Sequence, residues 1–338
     1  MLERWGDPMP KRVALLRALP GLGDLLCAVP AMRALRRALP HAQISLIALP
    51  WAMDFVTRFR HYLDKFILFP GFPGLPDRWR SPQQTLTFLN EQQRHPFDLA
   101  IQMQGSGTIS NLFTMLLGAK QTAGFFLEGE YCPDSTRFLP YPDGEPEVRR
   151  HLQLLNFLGI PSQGEELEFP IFSEDWQAFA TISGISDLKP GRYVCIHPGA
   201  SRCDRRWSPQ AFAEVANVLA SWGYQICLTG TAAEQSLTQK VGALMAALPF
   251  DLVGKTSLGA LALLLKNSAL LVCNDTGVSH LAAALQVKSV VIFSHSEIHR
   301  WAPLNRERHR IIPNHSLAKR EVIAAAKALL EEQAVYVD

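Results

Sequence analysis

Short apolar runs alternate with helical patterns along the chain, and this alternation limits its fold more than any other feature. In the first half, buried strands are indicated at residues 12–17, 43–49, 66–69 and 98–102. Strands that alternate with helices pair in parallel, because each helix carries the chain back across a face of the sheet. The pattern therefore predicts an α/β fold with parallel sheets covered by helices on both faces.

The same alternation begins again in the second half. Residues 169–191 are rich in Pro and Gly and predict a boundary between two domains. Strands and helices then alternate, with strands at 193–196, 225–229, 269–273 and 289–293 and helices at 209–222, 234–247, 258–266 and 277–285. A length of 338 residues fits two domains. We expect domains at 1–170 and 190–316, with a cleft between them, and a final helix within 317–338.

One helical pattern follows the first strand, from Asp24 to about Leu39. Its apolar residues recur at helical spacing, and Pro30 inside it predicts either a kink or the true first turn of the helix. Its basic residues fall outside the apolar stripe and predict a solvent-exposed face: Arg33, Arg36 and Arg37.

Composition excludes several classes of protein. The chain has 33 basic and 31 acidic residues, a balance that argues against a dedicated nucleic-acid binder. No apolar run approaches the ~20 residues that a membrane-spanning helix needs. The charged residues Glu3, Arg4 and Asp7 do not fit a signal peptide. We therefore expect a cytoplasmic protein.

The loops that follow the strands are where chemistry is expected, because ligands of parallel sheets bind beyond the carboxyl ends of the strands. In the first such loop, Gly21 and Gly23 favour a dinucleotide site. That site needs a third glycine where Leu26 stands, and the acidic residue expected after the second strand is missing. Asp24 remains as a carboxylate at the start of a helix, where it is either a helix cap or a functional group in the cleft.

A second loop, residues 197–201, ends a strand in a Gly/Ser turn and is followed by Arg202, Arg205 and Arg206. Backbone N–H groups and guanidinium groups together can bind a diphosphate. The alternative is a solvent-exposed basic loop. Glu234 follows the next strand, where it either binds ribose hydroxyls or is a charge in the first turn of a helix.

A third loop, residues 274–280, follows the strand that ends at Cys273. Thr276 and Gly277 begin a helix whose free N–H groups can hold an anion. Asp275 is placed to accept hydrogen bonds from sugar hydroxyls, or it caps that helix. His280 either belongs to this site or is a buried histidine bonded to a backbone carbonyl.

Neither a metal site nor another known catalytic motif is indicated. His295 and His299 have no third ligand nearby in the sequence, and no Cys-x-x-Cys pair occurs. The phosphate-loop spacing and the Gly-x-Ser-x-Gly motif are also missing. We expect the cysteines to be reduced, with those in apolar runs buried: Cys195, Cys227 and Cys273.

Several short sequence motifs follow one another along residues 12–330. In order, they are residues 22–24 with 28–36, 98–105, 197–200 with 206–209, 275–280 and 301–303. This order resembles that of glycosyltransferase family 9, the bacterial heptosyltransferases of lipopolysaccharide core synthesis. The most specific element is Asp275-Thr276-Gly277-x-x-His280.

The resemblance implies a GT-B fold, in which two Rossmann-like domains face a central cleft and the C-terminal helix packs back on the N-terminal domain. It implies an inverting, metal-independent transfer without a cofactor. The donor, typically ADP-heptose, is held by the C-terminal domain, and the acceptor is a lipopolysaccharide-core glycan. A lipid-linked acceptor implies peripheral contact with the inner membrane.

The resemblance also assigns roles to residues of this sequence. Asp24 becomes the general base, because a sugar hydroxyl is a poor nucleophile until its proton is removed. The acceptor side comprises Gly23, Gln104 and Gly105. The donor is bound by residues that follow strands of the second half: Gly199, Ser201, Arg205, Arg206, Glu234, Asp275, Thr276, Gly277 and His280.

Two departures from the family stand in the sequence. Arg205 occupies a position where the family often has lysine, and residues 70–82 and 124–143 match least. The sequence does not fix the donor sugar, the acceptor or the oligomeric state. Two other functions stay open: a nicotinamide oxidoreductase, and a GT-B protein that binds nucleotide sugars without catalysis.

Overall fold

The computed structural model describes residues 9–75 and 81–334, with side chains to residue 331. It divides into two compact units, the N-terminal unit ending at Glu166 and the C-terminal unit beginning at Leu167. Part of the predicted loop 70–82, the charged N-terminal residues and the last four residues lie outside the described residues.

The N-terminal unit is built on one parallel six-stranded sheet of order β3-β2-β1-β4-β5-β6. Its strands are β1 (Arg12–Leu16), β2 (Gln43–Ala48), β3 (Lys65–Leu68), β4 (Leu99–Gln102), β5 (Gln121–Phe126) and β6 (Phe138–Pro140). Its helices are α1 (Leu22–Leu26), α2 (Val29–Ala38), α3 (Ala52–Arg58), α4 (Pro82–Arg94), α5 (Ser110–Leu116) and α6 (Glu147–Phe157).

The first strand lies in the middle of this sheet. Strand β1 is almost entirely apolar and buried, as a strand covered on both faces must be. It pairs with β2 on one side, Leu15 opposite Leu46, and with β4 on the other, Leu15 opposite Ile101. The order of connections reverses between β1 and β4, so the loops after these two strands flank the crevice where α/β sheets bind ligands.

The helical segment after β1 is broken in two. Helix α1 ends at Leu26, and α2 begins at Val29 with Pro30 in its first turn, which confirms the prediction for this proline. The expectation of a solvent-exposed basic face is wrong for two arginines. Arg33 donates to the backbone carbonyl oxygens of Gln163 and Glu166, and Arg36 donates to those of Ala42 and Tyr62.

The C-terminal unit has a second parallel six-stranded sheet, of order β12-β11-β10-β7-β8-β9. Its strands are β7 (Tyr193–His197), β8 (Gln225–Leu228), β9 (Phe250–Asp251), β10 (Leu270–Asn274), β11 (Ser289–Phe293) and β12 (His309–Pro313). Its helices are α7 (Ser173–Ala180), α8 (Pro209–Ser221), α9 (Gln235–Ala243), α10 (Leu258–Lys266), α11 (Gly277–Ala284), α12 (Ile298–Trp301) and α13 (Ala318–Ala334).

Both sheets share one topology. When strands are numbered within each unit, both have the order 3-2-1-4-5-6 of the Rossmann fold. The predicted boundary segment 169–191 contains α7, which belongs to the C-terminal unit and packs on α10. The cysteines Cys195, Cys227 and Cys273 are buried and free, as predicted, and burial raises the pKa of the Cys195 and Cys273 thiols.

The last helix is part of the core of the C-terminal unit. Helix α13 packs on α8 and on strands β11 and β12 of its own unit, and its expected packing on the N-terminal domain stays a prediction. Val322, Ala326 and Leu329 are fully buried in the core that also contains Val290 and Ile312. The cause is the apolar stripe of the helix, which covers a face of the C-terminal sheet that would otherwise meet water.

Candidate active site

The C-terminal unit brings the predicted donor loops together at one edge of its sheet. Strands β10, β7 and β8 are direct neighbours. Each is followed by one of the predicted elements: Asp275 after β10, Gly199 after β7 and Glu234 after β8. Because the strands are parallel, their carboxyl ends lie side by side, and these residues converge although they are far apart in the sequence.

Asn274, the last residue of β10, fixes the loop of residues 198–207, which we call the donor loop. Its side-chain oxygen accepts a hydrogen bond from the Trp207 N–H at 2.9 Å, and its Nδ2 donates to the Pro198 carbonyl at 2.8 Å. The side chain is fully buried. This role was not predicted from the sequence, although an amide side chain at the end of a buried strand, directly before Asp275, was a usable signal.

Two of the three arginines of the donor loop, Arg205 and Arg206, were predicted to bind the donor, and they differ in what they do. Arg206 donates through Nε and Nη2 to the carbonyl oxygen of Ala200, at 2.9 and 2.8 Å, and so closes the loop on itself. Arg205 ends a short 3₁₀ turn, is half-buried and makes no side-chain hydrogen bond within the described part of the chain. Ser201 is exposed. Arg205 is therefore the arginine better placed to meet an anion.

Glu234 reaches back to the donor loop from beyond β8. Its Oε2 accepts hydrogen bonds from the N–H and the hydroxyl of Thr231, at 2.8 and 2.9 Å. The carboxylate lies against Gly199 so closely that a Cβ there would collide with it. The residue thus caps its turn and also faces the donor loop. Burial lowers the pKa of the adjacent His197, although the Glu234 charge acts in the opposite direction.

Helix α11 presents its N-terminus at the end of β10. Thr276 is the N-cap residue and Gly277 the first helical residue, as predicted, so the proposed capping role of Asp275 is wrong. Asp275 is buried, and no Lys, Arg or His in the described part of the chain lies within ion-pair distance of it. His280 is buried on the same helix, and its ring centroid lies 6.2 Å from that of Trp301.

The N-terminal unit places Asp24 in α1, beyond the end of β1. Its Oδ2 accepts a hydrogen bond from the N–H of Gly21, the N-cap residue, at 3.1 Å, so Asp24 caps the helix from its third position and is not the N-cap residue itself. The side chain keeps 20% of its surface exposed, and its Oδ1 lies 4.0 Å from Nη2 of the fully buried Arg17. Capping and partial exposure occur together, so the capping role leaves Asp24 able to meet a ligand.

The loop after β4 lies beside that of β1. Gln104 is buried, and its Oε1 accepts from the Ala18 N–H at 2.7 Å, which ties the two loops together. Gly105 has a φ of +63°, a backbone conformation that favours glycine. Gly23 is buried in α1. Gln102, which was not predicted as a site residue, holds the loop through hydrogen bonds to the Gln104 carbonyl and to Ser110.

A buried ionic cluster lies behind Asp24 and was not predicted. It consists of Arg17, Glu147, Arg150 and His151. Glu147 Oε1 accepts from Arg17 Nη2 at 3.0 Å, and Glu147 Oε2 accepts from Arg150 Nη1 at 2.9 Å. Burial, together with the positive charge of Arg17, lowers the pKa of His151 to about 4. His151 is therefore neutral at pH 7.

Two features are missing from residues 9–75 and 81–334. No group of three or more His, Cys, Asp or Glu side chains there is arranged to hold a metal ion. No helix there is long and apolar enough to cross a membrane.

Comparison with known proteins places the chain in a family. A model described as "Glycosyltransferase family 9 (heptosyltransferase)" matches residues 87–327. The lipopolysaccharide core heptosyltransferase OpsX of Haemophilus influenzae is 22% identical over 307 residues, which cover 88% of this chain and 82% of that protein.

Solved structures agree with this assignment. A family 9 glycosyltransferase from Veillonella parvula aligns with a TM-score of 0.77 at 22% identity, covering 95% of this chain and 98% of that one. The E. coli ADP-heptose lps heptosyltransferase II aligns with a TM-score of 0.76 at 19% identity, covering 96% and 99%. The fold is therefore GT-B, and nothing supports the nicotinamide interpretation. The chain belongs to glycosyltransferase family 9, the heptosyltransferases.

Proposed function

We propose that this glycosyltransferase moves a heptose from ADP-heptose to a hydroxyl of the lipopolysaccharide core. The transfer inverts the configuration at the anomeric carbon, and Asp24 is the general base. The observation that carries the proposal is the convergence of Gly199, Glu234 and the Asp275–Gly277 turn at neighbouring strand ends of one Rossmann-like sheet. The descriptions of the relatives support heptose, ADP and the lipopolysaccharide core as the substrates.

The C-terminal unit has side chains and backbone N–H groups that can bind the diphosphate, the ribose and the transferred sugar of the donor. The first N–H groups of α11, at Gly277 and beyond, and the guanidinium of Arg205 can hold the diphosphate. The Glu234 carboxylate can accept hydrogen bonds from ribose hydroxyls. The buried Asp275 carboxylate can accept them from the transferred sugar. His280 lies one helical turn beyond Gly277.

The reaction needs one proton transfer and one displacement. The Asp24 carboxylate takes the proton of the acceptor hydroxyl, and that oxygen forms a bond to the anomeric carbon as the bond to the diphosphate breaks. The bonding electron pair leaves with the nucleoside diphosphate, whose growing charge is stabilised by prearranged N–H groups and by a fixed cation. We place the acceptor beside Gly23, Gln104 and Gly105, which share the crevice end of the N-terminal sheet with Asp24.

The same groups lead us to propose catalysis without a metal or cofactor, since amide donors and Arg205 can meet the leaving-group charge themselves. The acceptor side is a lipid-linked glycan in this proposal. The enzyme therefore works in the cytoplasm and meets its acceptor at the surface of the inner membrane.

The substitution Asp24→Asn tests this proposal. Asn keeps the size and the capping ability of Asp but cannot accept the proton, and positioned proton transfer contributes typically ~10²–10⁴-fold. We expect turnover in excess EDTA to fall by about that factor, while donor affinity and melting temperature stay close to those of the unmodified protein. Asp54→Asn is the matched control, because Asp54 is also in the first turn of a helix of this unit.

Near-normal turnover of the Asp24→Asn protein would rule out the base assignment. Loss of activity in EDTA that a divalent metal restores would rule out metal independence. Absence of transfer by the unmodified protein with every nucleotide-sugar and core acceptor tried would favour a binding protein without catalysis.

A further inference from the structure

We propose that Arg17 is a positioning residue that holds the Asp24 carboxylate in place and ionised, and that Glu147 anchors Arg17 for this task. The inference rests on the proposed role of Asp24 as general base. It assigns a purpose to a fully buried guanidinium that otherwise has none in the reaction.

Arg17 contacts both α1, which carries Asp24, and the loop after β4. It directly follows β1, and its Nε donates to the backbone carbonyl oxygen of Asp24 at 2.7 Å. Its Nη1 donates to the carbonyl oxygen of Met103, in the loop after β4. One side chain therefore ties α1 to the loops of both strands that border the crevice, and a planar guanidinium with several fixed donors suits this better than an ammonium.

Glu147 holds the other side of the guanidinium. Its Oε1 accepts from Arg17 Nη2 at 3.0 Å, and it lies at the start of α6, a helix that packs on α2. Both side chains are almost completely removed from water. Such a pair is costly to bury and strongly destabilising to break, so Arg17 has little freedom to leave its place.

The charges of the buried cluster do not cancel within it. Arg17 and Arg150 are cations, Glu147 is the single anion among the four members, and His151 is neutral at pH 7. The excess positive charge meets a carboxylate at each end of the cluster. Asp24 Oδ1 lies 4.0 Å from Arg17, and the exposed Asp143 lies 3.9 Å from Arg150.

This imbalance has a consequence for catalysis. A cation within about 4–6 Å of a carboxylate favours its charged form. The Asp24 carboxylate is only partly exposed, so water screens this effect incompletely. The Arg17 guanidinium thereby favours the charged, proton-accepting form of the carboxylate, while its hydrogen bond to the Asp24 backbone carbonyl fixes the backbone from which the carboxylate extends.

A double-mutant cycle tests the inference. Arg17→Met removes the charge and Arg17→Lys retains it, and each is made alone and together with Asp24→Asn. Alone, we expect Arg17→Met to lower kcat about tenfold or more, and to move the acid limb of the kcat/KM profile up by about one pH unit or more. Arg17→Lys should restore part of both changes. Within the Asp24→Asn protein, neither substitution should lower kcat by more than about twofold, because residues that act through one another are not additive.

Arg150→Lys is the matched control. It changes a second buried arginine that binds the same Glu147, at the end of the cluster away from Asp24. We expect it to lower the melting temperature but to leave the acid limb unmoved. If Arg17→Met does not fold, the cycle with Arg17→Lys and the Arg150→Lys comparison still decides the question.

The outcomes separate this inference from the proposed function. Normal turnover of Asp24→Asn would overturn both. Low turnover of Asp24→Asn, combined with an Arg17 effect of equal size in both backgrounds, would overturn the role of Arg17 alone. The role of Arg17 would also be overturned if the acid limb of the kcat/KM profile were at the same pH in both Arg17 variants as in the unmodified protein.

Discussion

Glu234 shows how a single side chain can both stabilise a turn and shape a ligand site. Its Oε2 is occupied by Thr231, which holds the carboxylate in one orientation. The absence of a side chain at Gly199 then leaves the space into which this carboxylate projects. Gly199 is therefore required because the Glu234 carboxylate comes so close to it, and not because its backbone adopts a conformation that only glycine favours.

A methyl group at this glycine should therefore weaken donor binding. Gly199→Ala would push the Glu234 carboxylate out of position, and hydrogen bonds to charged groups contribute roughly 1.5–3 kcal/mol. We expect donor affinity, measured by calorimetry, to fall about tenfold or more, with little change in melting temperature because a flexible side chain can move aside.

Gly144→Ala is the control, because a Cβ at Gly144 meets no atom within 4 Å. Equal donor affinities of the two alanine variants would contradict the placement of Glu234 beside the donor.

At this scale the sequence revealed motif residues but not their partners. Asp24, Gly199 and the 275–277 turn could be found because each stands in the loop or first helical turn that follows a strand. Asn274 and Arg17 could not, because their roles depend on Trp207 and Glu147, which lie 67 and 130 residues away in the chain. Only the fold brings such pairs together, and periodicity carries no signal of which polar residue meets which.

At the scale of elements, most helices and strands follow from local pattern and from Pro and Gly. Pro30 marked the true start of α2, and Thr276 with Gly277 marked the start of α11. The docking of α13 did not follow from its sequence. Its apolar stripe predicts burial but does not say against which sheet, and the face beside α8 was available within its own unit.

The packing of α13 on its sheet can be tested by truncating one of the apolar side chains that the helix buries. Leu329→Ala removes a fully buried side chain from the core of the C-terminal unit. Substitutions of buried Leu by Ala cost about 2–5 kcal/mol, so we expect a clear loss of stability in urea denaturation.

Leu317→Ala, at a position that is 53% exposed just before the helix, should change stability by less than about 0.5 kcal/mol. Equally small effects of both substitutions would contradict the packing of α13 on this sheet.

At the scale of the whole molecule, each unit carries a buried histidine whose neutral form is favoured. Burial is the main cause in both, aided by Arg17 at His151 and by Arg308 at His309, and each pKa is lowered to about 4. In the unfolded chain both pKa values return to about 6.5. The unfolded state therefore binds more protons below pH 6.5, and stability is lost as the pH falls from there towards 4.

We expect the free energy of unfolding to fall between pH 7 and pH 5 by about 2 kcal/mol for each of these histidines. Urea denaturation at the two pH values measures this change. His151→Asn should reduce the difference between them, whatever it does to stability at pH 7, whereas the exposed His41→Asn should leave it unchanged. An unchanged difference in His151→Asn would show that other groups cause the acid sensitivity.

The fold class of the two units could be predicted from the sequence, but the strand order that they share could not. Alternating patterns indicated two parallel α/β units, but the order 3-2-1-4-5-6 depends on pairing between distant segments, such as β1 with β4. Local patterns cannot choose among the possible orders, although short right-handed connections reduce their number.

The position of α13 has a consequence for how the protein is made. All six strands of the N-terminal sheet precede residue 141, so that unit can fold while the ribosome is still synthesising the remainder. The C-terminal core includes Val322 and Leu329, and it is incomplete until these residues of α13 have been synthesised. A nascent or prematurely terminated chain therefore carries one finished domain joined to one with an open apolar face, which is the form that chaperones and proteases recognise.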